Sequence, residues 1–416
     1  MVDFNYGIVG SGPAGYTAAL DAASLGNTVV LFEKDLIGGT CLNKGCIPTK
    51  TLLHCAEIYE NTLNSECFGI TVDNCSLNFE KIAERKNEIV EKLRNGLTKI
   101  LQSNKITIVN SEAKIIDKNT INADGKTYIC KKIISAVGSS PKEIKGFEYD
   151  GKFILSSDDV LNFTKLPKSM LIVGSGAIGI EFSRIFSAFG VEITLIEMAD
   201  NLLPVADIEI SKRIERIFKT KGLRFCTKTS IKNITKNKND VTAKLSNDEV
   251  INAECVLFAV GRQANKTEKI DGVKYIGDIE NKIQLAHYAS KSSMEEILNI
   301  PFERELVPSV VYGTPEIAWV GKREQDLEGE EYQKSMIPIS ALAKSQCDGA
   351  TDGMIKILVQ NNKIVGAHII SNEASSLIQQ FVIAMQANVD IDKLKCVCFA
   401  HPTYSEGILD CIMRLK

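Results

Sequence analysis

One pattern of apolar and polar positions occurs twice in the chain. The apolar run Tyr6 to Val9 leads into Gly10-Ser11-Gly12-Pro13-Ala14-Gly15, an Ala-rich helical stretch through Leu25, and a second run, Thr28 to Phe32, that ends at Glu33. The pattern returns as Leu171 to Val173, Gly174-Ser175-Gly176-Ala177-Ile178-Gly179, a helical stretch through Phe189, the run Glu192 to Ile196, and Glu197. Short apolar runs bounded by glycine read as buried strands. Strand, Gly-x-Gly-x-x-Gly, helix, strand and acid together form the dinucleotide fingerprint. Its glycines allow a tight turn and bring a pyrophosphate to the helix N-terminus, and its acid takes ribose hydroxyls. A purely packing role for the glycines, or a duplicated unit with one dead site, competes with this reading. The acid stands at the same offset in both copies, which favours two live sites. Glu197 disfavours a 2′-phosphate by charge, and Met198-Ala199-Asp200-Asn201 offers no Arg to hold one, so the second site reads as NAD rather than NADP.

Other segments fill in the organisation. Phe79 to Ser103 has the period of a long charged amphipathic helix with a structural role. Short strands are predicted at Ile106 to Val109, Ala113 to Asp117, Thr120 to Ala123 and Lys132 to Ala136, the last ending in Val137-Gly138-Ser139-Ser140-Pro141 as a domain exit. The strand Cys255 to Val260 runs into Gly261-Arg262, and Tyr275-Ile276-Gly277-Asp278 places Asp278 at a strand end, where a ligand hydroxyl could be held. From Pro308 the pattern changes to strands at Val310 to Tyr312, Met336 to Ile339, Met354 to Val359 and Lys363 to Ile369, then a helix from Ala374 to Ala387. The fold class is α/β: two Rossmann-like dinucleotide-binding domains, with a C-terminal α+β domain.

Composition narrows the function classes. With 416 residues, 44% hydrophobic and 24% charged, the chain has enough apolar content for several domains with sizeable cores. A net charge of -3 gives no reason to expect nucleic acid or an anionic membrane as partner. No apolar run reaches membrane-spanning length and the start lacks a signal-peptide pattern, so a cytoplasmic location is expected. Twelve scattered cysteines do not resemble a secreted disulfide scaffold. With four His and one tight pair, Cys396 and Cys398, no metal site is expected.

The segment Gly38-Gly39-Thr40-Cys41-Leu42-Asn43-Lys44-Gly45-Cys46-Ile47-Pro48-Thr49-Lys50 carries the candidate chemistry. A regular helix holds positions i and i+5 too far apart to bridge, so Cys41 and Cys46 can pair only across a distortion, which Gly45 permits. Two packed thiols are the plain alternative; the location just after a dinucleotide fingerprint favours a redox disulfide. Near the other end, His401 has Glu406 five residues on with Pro402 between. A His oriented by a carboxylate suits acid–base work on a thiol, although a His so placed is more often structural.

Gly38 to Lys50, both fingerprints, Gly261-Arg262, Ile276-Gly277-Asp278 and His401-Pro402-Thr403 with Ser405-Glu406 together resemble the flavoprotein disulfide reductases, in the same order over essentially the whole chain. Leu42 and Ile47-Pro48-Thr49-Lys50 resemble the lipoamide branch most. The resemblance implies an FAD domain (1–140 and 266–304) with an NAD domain inserted (141–265) and a C-terminal dimerisation domain (305–416). It implies that Cys46 lies against FAD as the charge-transfer thiol, and that Cys41 exchanges with substrate. Lys50 and Glu181 would lie near the reactive flavin edge. FAD contacts are implied at Gly10, Gly12, Gly15, Glu33, Lys34, Gly39, Thr40, Ala113, Gly138, Asp278 and Ala286, and NAD contacts at Gly174, Gly176, Ile178, Gly179, Glu197, Gly261 and Arg262. His401 and Glu406 would complete the active site of the other subunit of a homodimer. The implied reaction is NAD-dependent oxidation of protein-bound dihydrolipoamide, on a lipoylated acyltransferase or a glycine-cleavage carrier protein. The alternatives are a reductase of another disulfide, and a flavin-bound structural subunit with impaired catalysis. Three features depart from the family. Only 15 residues separate Arg262 from Asp278, a short return between domains. Gln263-Ala264-Asn265 and Val137-Gly138 replace usual residues, and Cys396 and Cys398, read first as inert core thiols and otherwise as an auxiliary redox pair, are extra.

Overall fold

A computed structural model describes residues 3–415. Its first sheet is built on four parallel strands in the order Thr107–Asn110, Val29–Glu33, Phe4–Val9, Lys126–Ser135. The N-terminal half of Lys126–Ser135 continues into an antiparallel meander with Thr120–Ala123 and Ala113–Ile115. The second sheet is wholly parallel, in the order Arg224–Cys226, Glu192–Ile196, Ser169–Val173, Cys255–Phe258, Ile154–Leu155. Its central strands are largely apolar because both faces are covered, one by the helices Ala177–Ala188 and Ile208–Thr220 and the other by the antiparallel strands Val241–Leu245 and Val250–Ala253. A five-stranded antiparallel sheet, Ser309–Val311, Glu316–Gly321, Lys363–Ser371, Met354–Gln360, Gln333–Pro338, forms the C-terminal part under the helices Ala374–Gln386 and Glu406–Met413.

Several elements went unread in the sequence. The antiparallel trio Ile231–Lys236, Val241–Leu245 and Val250–Ala253 is strand-rich, but its polar faces break the apolar runs. The helices Ile208–Thr220 and Ala286–Leu298 were also not foreseen. The strand predicted over Lys132 to Ala136 begins earlier, at Lys126, because its first half is an exposed hairpin arm. Asp278 does not end a strand: the strand stops at Tyr275, and Asp278 stands in the 3-10 turn Gly277–Glu280.

The short return from Arg262 to Asp278 closes compactly. Arg262–Ala264 pairs antiparallel with Ser139–Pro141, so the two crossings between the sheets lie side by side. Asn265 ties the crossing down, accepting from Ser140 Oγ at 2.6 Å and donating to the Val137 carbonyl at 2.6 Å. Lys274–Tyr275 then rejoins the first sheet, parallel to Lys126–Ser135. A single apolar core runs from Leu52 and Leu53 through Phe182 and Phe186 to Val311, Ile317 and Met354, so all three parts of the chain share it. Among the described residues, no helix is long and apolar enough to cross a membrane.

Each fingerprint helix sits on its strand through a glycine contact. A Cβ on Gly15 would fall 1.8 Å from the Gly10 carbonyl oxygen, and one on Gly179 would fall 1.9 Å from that of Gly174. Backbone cannot retreat as a side chain would. Gly15→Ala and Gly179→Ala are each expected to lower unfolding free energy by about 1–3 kcal/mol, the usual cost of overpacking. Urea unfolding measures it, and unchanged midpoints would show that the helices can slide.

Candidate active site

The first fingerprint and the cysteine segment meet backbone to backbone. A Cβ on Gly39 would lie 2.6 Å from the Gly12 Cα, so Gly39 lets the segment rest on the turn. Gly39–Lys44 forms a short helix carrying Cys41, and Cys46–Leu63 begins the next. The break is Gly45, where φ is -148° and a Cβ would meet the Thr40 carbonyl oxygen at 3.0 Å. The expected distortion between the two cysteines is therefore present, and Gly45 serves it by leaving space.

The two thiols are unbridged and partly buried, and they lie within hydrogen-bonding reach of each other. The hydrogen bond from Cys41 lowers the Cys46 thiol to about 7, against the pull of burial and with help from the Lys50 ammonium. Cys41 is pushed well up by the same hydrogen bond and by burial. A thiolate is the reactive form of cysteine, and a free thiol ionises near pH 8.5, so the pair is divided into one thiolate and one thiol near neutrality. Lys50 stands one turn beyond Cys46 on the same helix. Its Nζ is 2.9 Å from the Glu181 carboxylate and lies over the Tyr312 ring, 4.6 Å from its centroid. Burial alone would lower the Lys50 pKa; the Glu181 carboxylate reverses this and holds it above its ordinary value. The Tyr312 N–H donates to the same carboxylate at 3.0 Å. Tyr312 directly follows the strand Ser309–Val311 with no local sign of a role, and sequence reasoning missed it.

The two fingerprints are built alike. Glu33 accepts from the Ser11 N–H at 2.9 Å and from Ser11 Oγ at 2.6 Å; Glu197 accepts from both groups of Ser175 at 2.8 Å. These serines went unremarked in the sequence, although their repetition at one position was a usable signal. Space is also repeated. A Cβ on Gly12 would meet only the Gly39 Cα, at 3.9 Å, and one on Gly176 would meet nothing within 4 Å. Both cradles can admit a pyrophosphate, and the residues fit the two dinucleotides the sequence predicts.

Asp278 accepts from Ser139 Oγ at 2.6 Å, and Arg262 donates to the same hydroxyl at 2.9 Å, joining both crossings beside Thr40. Ile178 lies in the first turn of the helix Ala177–Ala188, and Ala286 begins the helix that packs on Pro13–Ser24. Gly138 and Gly261 both turn the backbone with positive φ, +70° and +95°. Ala113 starts a meander strand; Lys34 is exposed, 3.7 Å from Glu112.

His401 and Glu406 come together: Nδ1 lies 2.8 Å from one carboxylate oxygen, while the Thr403 N–H donates to the other at 2.9 Å. The Thr403 N–H and the imidazole hold the Glu406 carboxyl below its usual range. His401 is exposed, and among the described residues no hydrogen bond or ion pair joins it to Cys41 or Cys46. Cys396 and Cys398 are exposed, which corrects their reading as core thiols.

Residues 4–297 match the family model described as pyridine nucleotide-disulphide oxidoreductase, and residues 307–411 match that family's dimerisation domain. The chain is 34% identical to a dihydrolipoyl dehydrogenase of Bacillus subtilis, covering 98% of this chain and 96% of that protein. It is likewise 34% identical to one of Chlamydia pneumoniae, over 97% and 95% of the two chains. Its fold superposes on the crystal structure of LpdA from Mycobacterium tuberculosis with a TM-score of 0.91, at 22% identity over 99% of both chains. FAD and NAD are the cofactors of this family, and its dimerisation domain marks the chain as a homodimer. With its two open dinucleotide cradles and paired thiols, the chain belongs to the pyridine nucleotide-disulphide oxidoreductase family.

Proposed function

We propose that this enzyme oxidises protein-bound dihydrolipoamide with NAD⁺, through a disulfide that forms and opens between Cys41 and Cys46. The division of the two thiols carries this reading: one group is held as a thiolate near neutrality beside Lys50, the other as a thiol. Full-length likeness to dihydrolipoyl dehydrogenases supports the choice of substrate.

In the oxidised protein, a substrate thiol loses its proton to a base and its sulfur attacks Cys41. The bond between Cys41 and Cys46 breaks, and its electron pair stays on Cys46 as thiolate. The second substrate thiol then displaces Cys41, leaving substrate disulfide and a reduced cysteine pair. Bound FAD and NAD supply the chemistry that returns the pair to disulfide, a two-electron transfer from dithiol to nicotinamide. Gly12, Gly39 and Thr40 shape the first cradle, with Gly10, Gly15, Glu33, Gly138, Asp278 and Ala286 around it. Gly176, Ile178, Gly179 and Glu197 shape the second. Glu197 supports NAD over NADP, since its carboxylate repels a 2′-phosphate.

The base is His401. Its Nδ1 is engaged by Glu406, which leaves Nε2 for the substrate thiol. The exposure of this pair on the dimerisation domain supports a site shared between subunits, His401 of one serving the cysteines of the other. Sheet membership supports the proposed division of the chain at 140, 265 and 304, because the strand Lys274–Tyr275 returns to the first sheet. Free thiols throughout suit a cytoplasmic setting.

Four outcomes follow from this arrangement. Cys46→Ser is expected to abolish dihydrolipoamide oxidation while the purified protein stays yellow; retained turnover would overturn the proposal. His401→Gln should lower kcat by about 10²–10⁴-fold, the worth of a general base, with flavin content unchanged. In the reduced protein, ultraviolet thiolate absorbance should titrate with a midpoint near the value of about 7 for Cys46. Lys50→Met removes a nearby positive charge and should move that midpoint upward; a downward or absent shift would show that Lys50 does not act on the thiolate.

A further inference from the structure

The two fingerprints share a third hydrogen bond whose backbone setting differs between them. In the first unit the Gly38 N–H donates to the Ser11 carbonyl at 3.1 Å and lies 3.2 Å from Ser11 Oγ. In the second the Leu203 N–H makes the same pair of contacts with Ser175, at 3.2 and 3.1 Å. Both residues are left-handed, Gly38 with φ +101° and Leu203 with φ +50°. Glycine takes that conformation freely, whereas a γ-branched residue holds it only when its surroundings impose it. Leu203 is fully buried; its carbonyl accepts from the Ala206 N–H at 3.0 Å and from Ser211 Oγ at 3.3 Å, and the Leu202 N–H donates to Glu215 at 3.2 Å, a first hold from its own domain.

The dimerisation domain adds a second hold, on the residues that follow. Just beyond Leu203, the turn at 323–325 grips the chain at successive residues. Arg323 donates to the Val205 carbonyl at 3.3 Å, and Gln325 Nε2 donates to that of Ala206 at 2.8 Å. Gln325 Oε1 accepts from the Ile208 N–H at 3.3 Å, and Asp207 Oδ2 accepts from the Glu324 N–H at 2.9 Å. Beneath them the Lys356 ammonium donates to Asp207 Oδ1 at 2.7 Å and also to the Glu324 carboxylate. Lys356 and Asp207 have side-chain exposures of 2% and 0%, so this pair is out of water on both sides. Buried charges so matched resist separation, because parting them leaves each uncompensated. The Gly38 loop is gripped from within its own segment, by Asn43 Nδ2 on the carbonyls of Leu36, Ile37 and Gly39 at 3.3, 3.0 and 3.0 Å, and glycine there needs no hold from another domain.

We propose that Lys356 and the 323–325 turn form a latch from the dimerisation domain onto the loop 198–207, keeping Leu203 left-handed and so holding Ser175 and the acid Glu197 in register for the NAD ribose. Asp207, Lys356 and Gln325 are positioning residues that act through Leu203. The latch thereby becomes a condition for tight nicotinamide nucleotide binding, while the cysteine pair, which none of the latch contacts touches, is independent of the latch.

The inference rests on the second cradle being the NAD site. Anaerobic titration of the fully reduced holoenzyme with NADH, which then has no electron acceptor in the protein, followed by fluorescence, tests it together with amide hydrogen exchange of residues 199–206. Lys356→Met should weaken NADH binding by about threefold to tenfold, the range that relief of one strained residue allows, and should speed exchange in the loop. Reduction of the cysteine pair by dithiothreitol should keep its rate. Gln325→Ala leaves the buried charges paired and is the milder variant should Lys356→Met fold poorly; its effect should have the same sign. In a Leu203→Gly background the Gln325→Ala effect on NADH affinity should vanish, since glycine needs no latch. Unchanged NADH affinity in the latch variants would overturn the proposal. So would an equal loss in the dithiothreitol reaction, or a Gln325→Ala effect that persists with Leu203→Gly. Failure of the NAD assignment itself would show differently, as wild-type protein that does not bind NADH.

Discussion

The Glu181 carboxylate ties three parts of the chain to one point. It stands on the helix that leaves the second fingerprint, pairs with Lys50 from the cysteine helix, and accepts the Tyr312 N–H from the dimerisation domain. Its side chain is 6% exposed and that of Lys50 is 33% exposed, so the pair is dry on one side and wet on the other. Removing one partner of a fully buried pair costs about 3–5 kcal/mol, and the exposed side of Lys50 brings the figure here below that. More important is what the pair positions. Lys50 is drawn to the Cys46 end of its helix, where its charge favours the thiolate, and the ring of Tyr312 covers its outer side. The chemistry of the cysteines therefore depends on residues from all three domains meeting at one carboxylate.

Arg184 extends this joint. It lies one turn after Glu181, is deeply buried, and donates to the Pro315 carbonyl at 2.6 Å. Gly313 makes room for it, because a Cβ there would come within 2.5 Å of the guanidinium. Burial brings its pKa down to about 10, opposed by the Glu181 carboxylate. The guanidinium is thus held within the shared core, and it keeps the corner at 312–315 pressed against the helix that carries Glu181.

The two nucleotide units show how one local design serves two ends. Strand, glycine turn, helix, serine and acid match residue for residue, because the same steric limits govern any helix seated on a strand beside a pyrophosphate. They differ in what lies over them. The cysteine segment covers the first, through the contact of Gly39 with Gly12; the dimerisation domain grips the loop after the second. The short return from Arg262 does not loosen this arrangement, since Asn265 and the strand pair with Ser139–Pro141 close it within a few residues.

Local constraints made much of this legible in the sequence. Glycine is demanded wherever a helix lies on a strand or backbone crosses backbone, so both fingerprints, the break at Gly45 and the seat of Gly39 left a mark in the chain itself. Buried parallel strands left another as unbroken apolar runs. His401 and Glu406 lie close enough along the chain for their hydrogen bond to be foreseen. Contacts between distant segments left no such mark. Tyr312 reads as one more apolar strand residue, and Cys396 and Cys398 read as core because exposure has no local pattern. Lys356 and Asp207 look like ordinary charges until the fold buries them together, 149 residues apart in the chain. Spacing and conformational preference act over a few residues and are written in the sequence. Burial and long-range pairing are decided only when the domains pack.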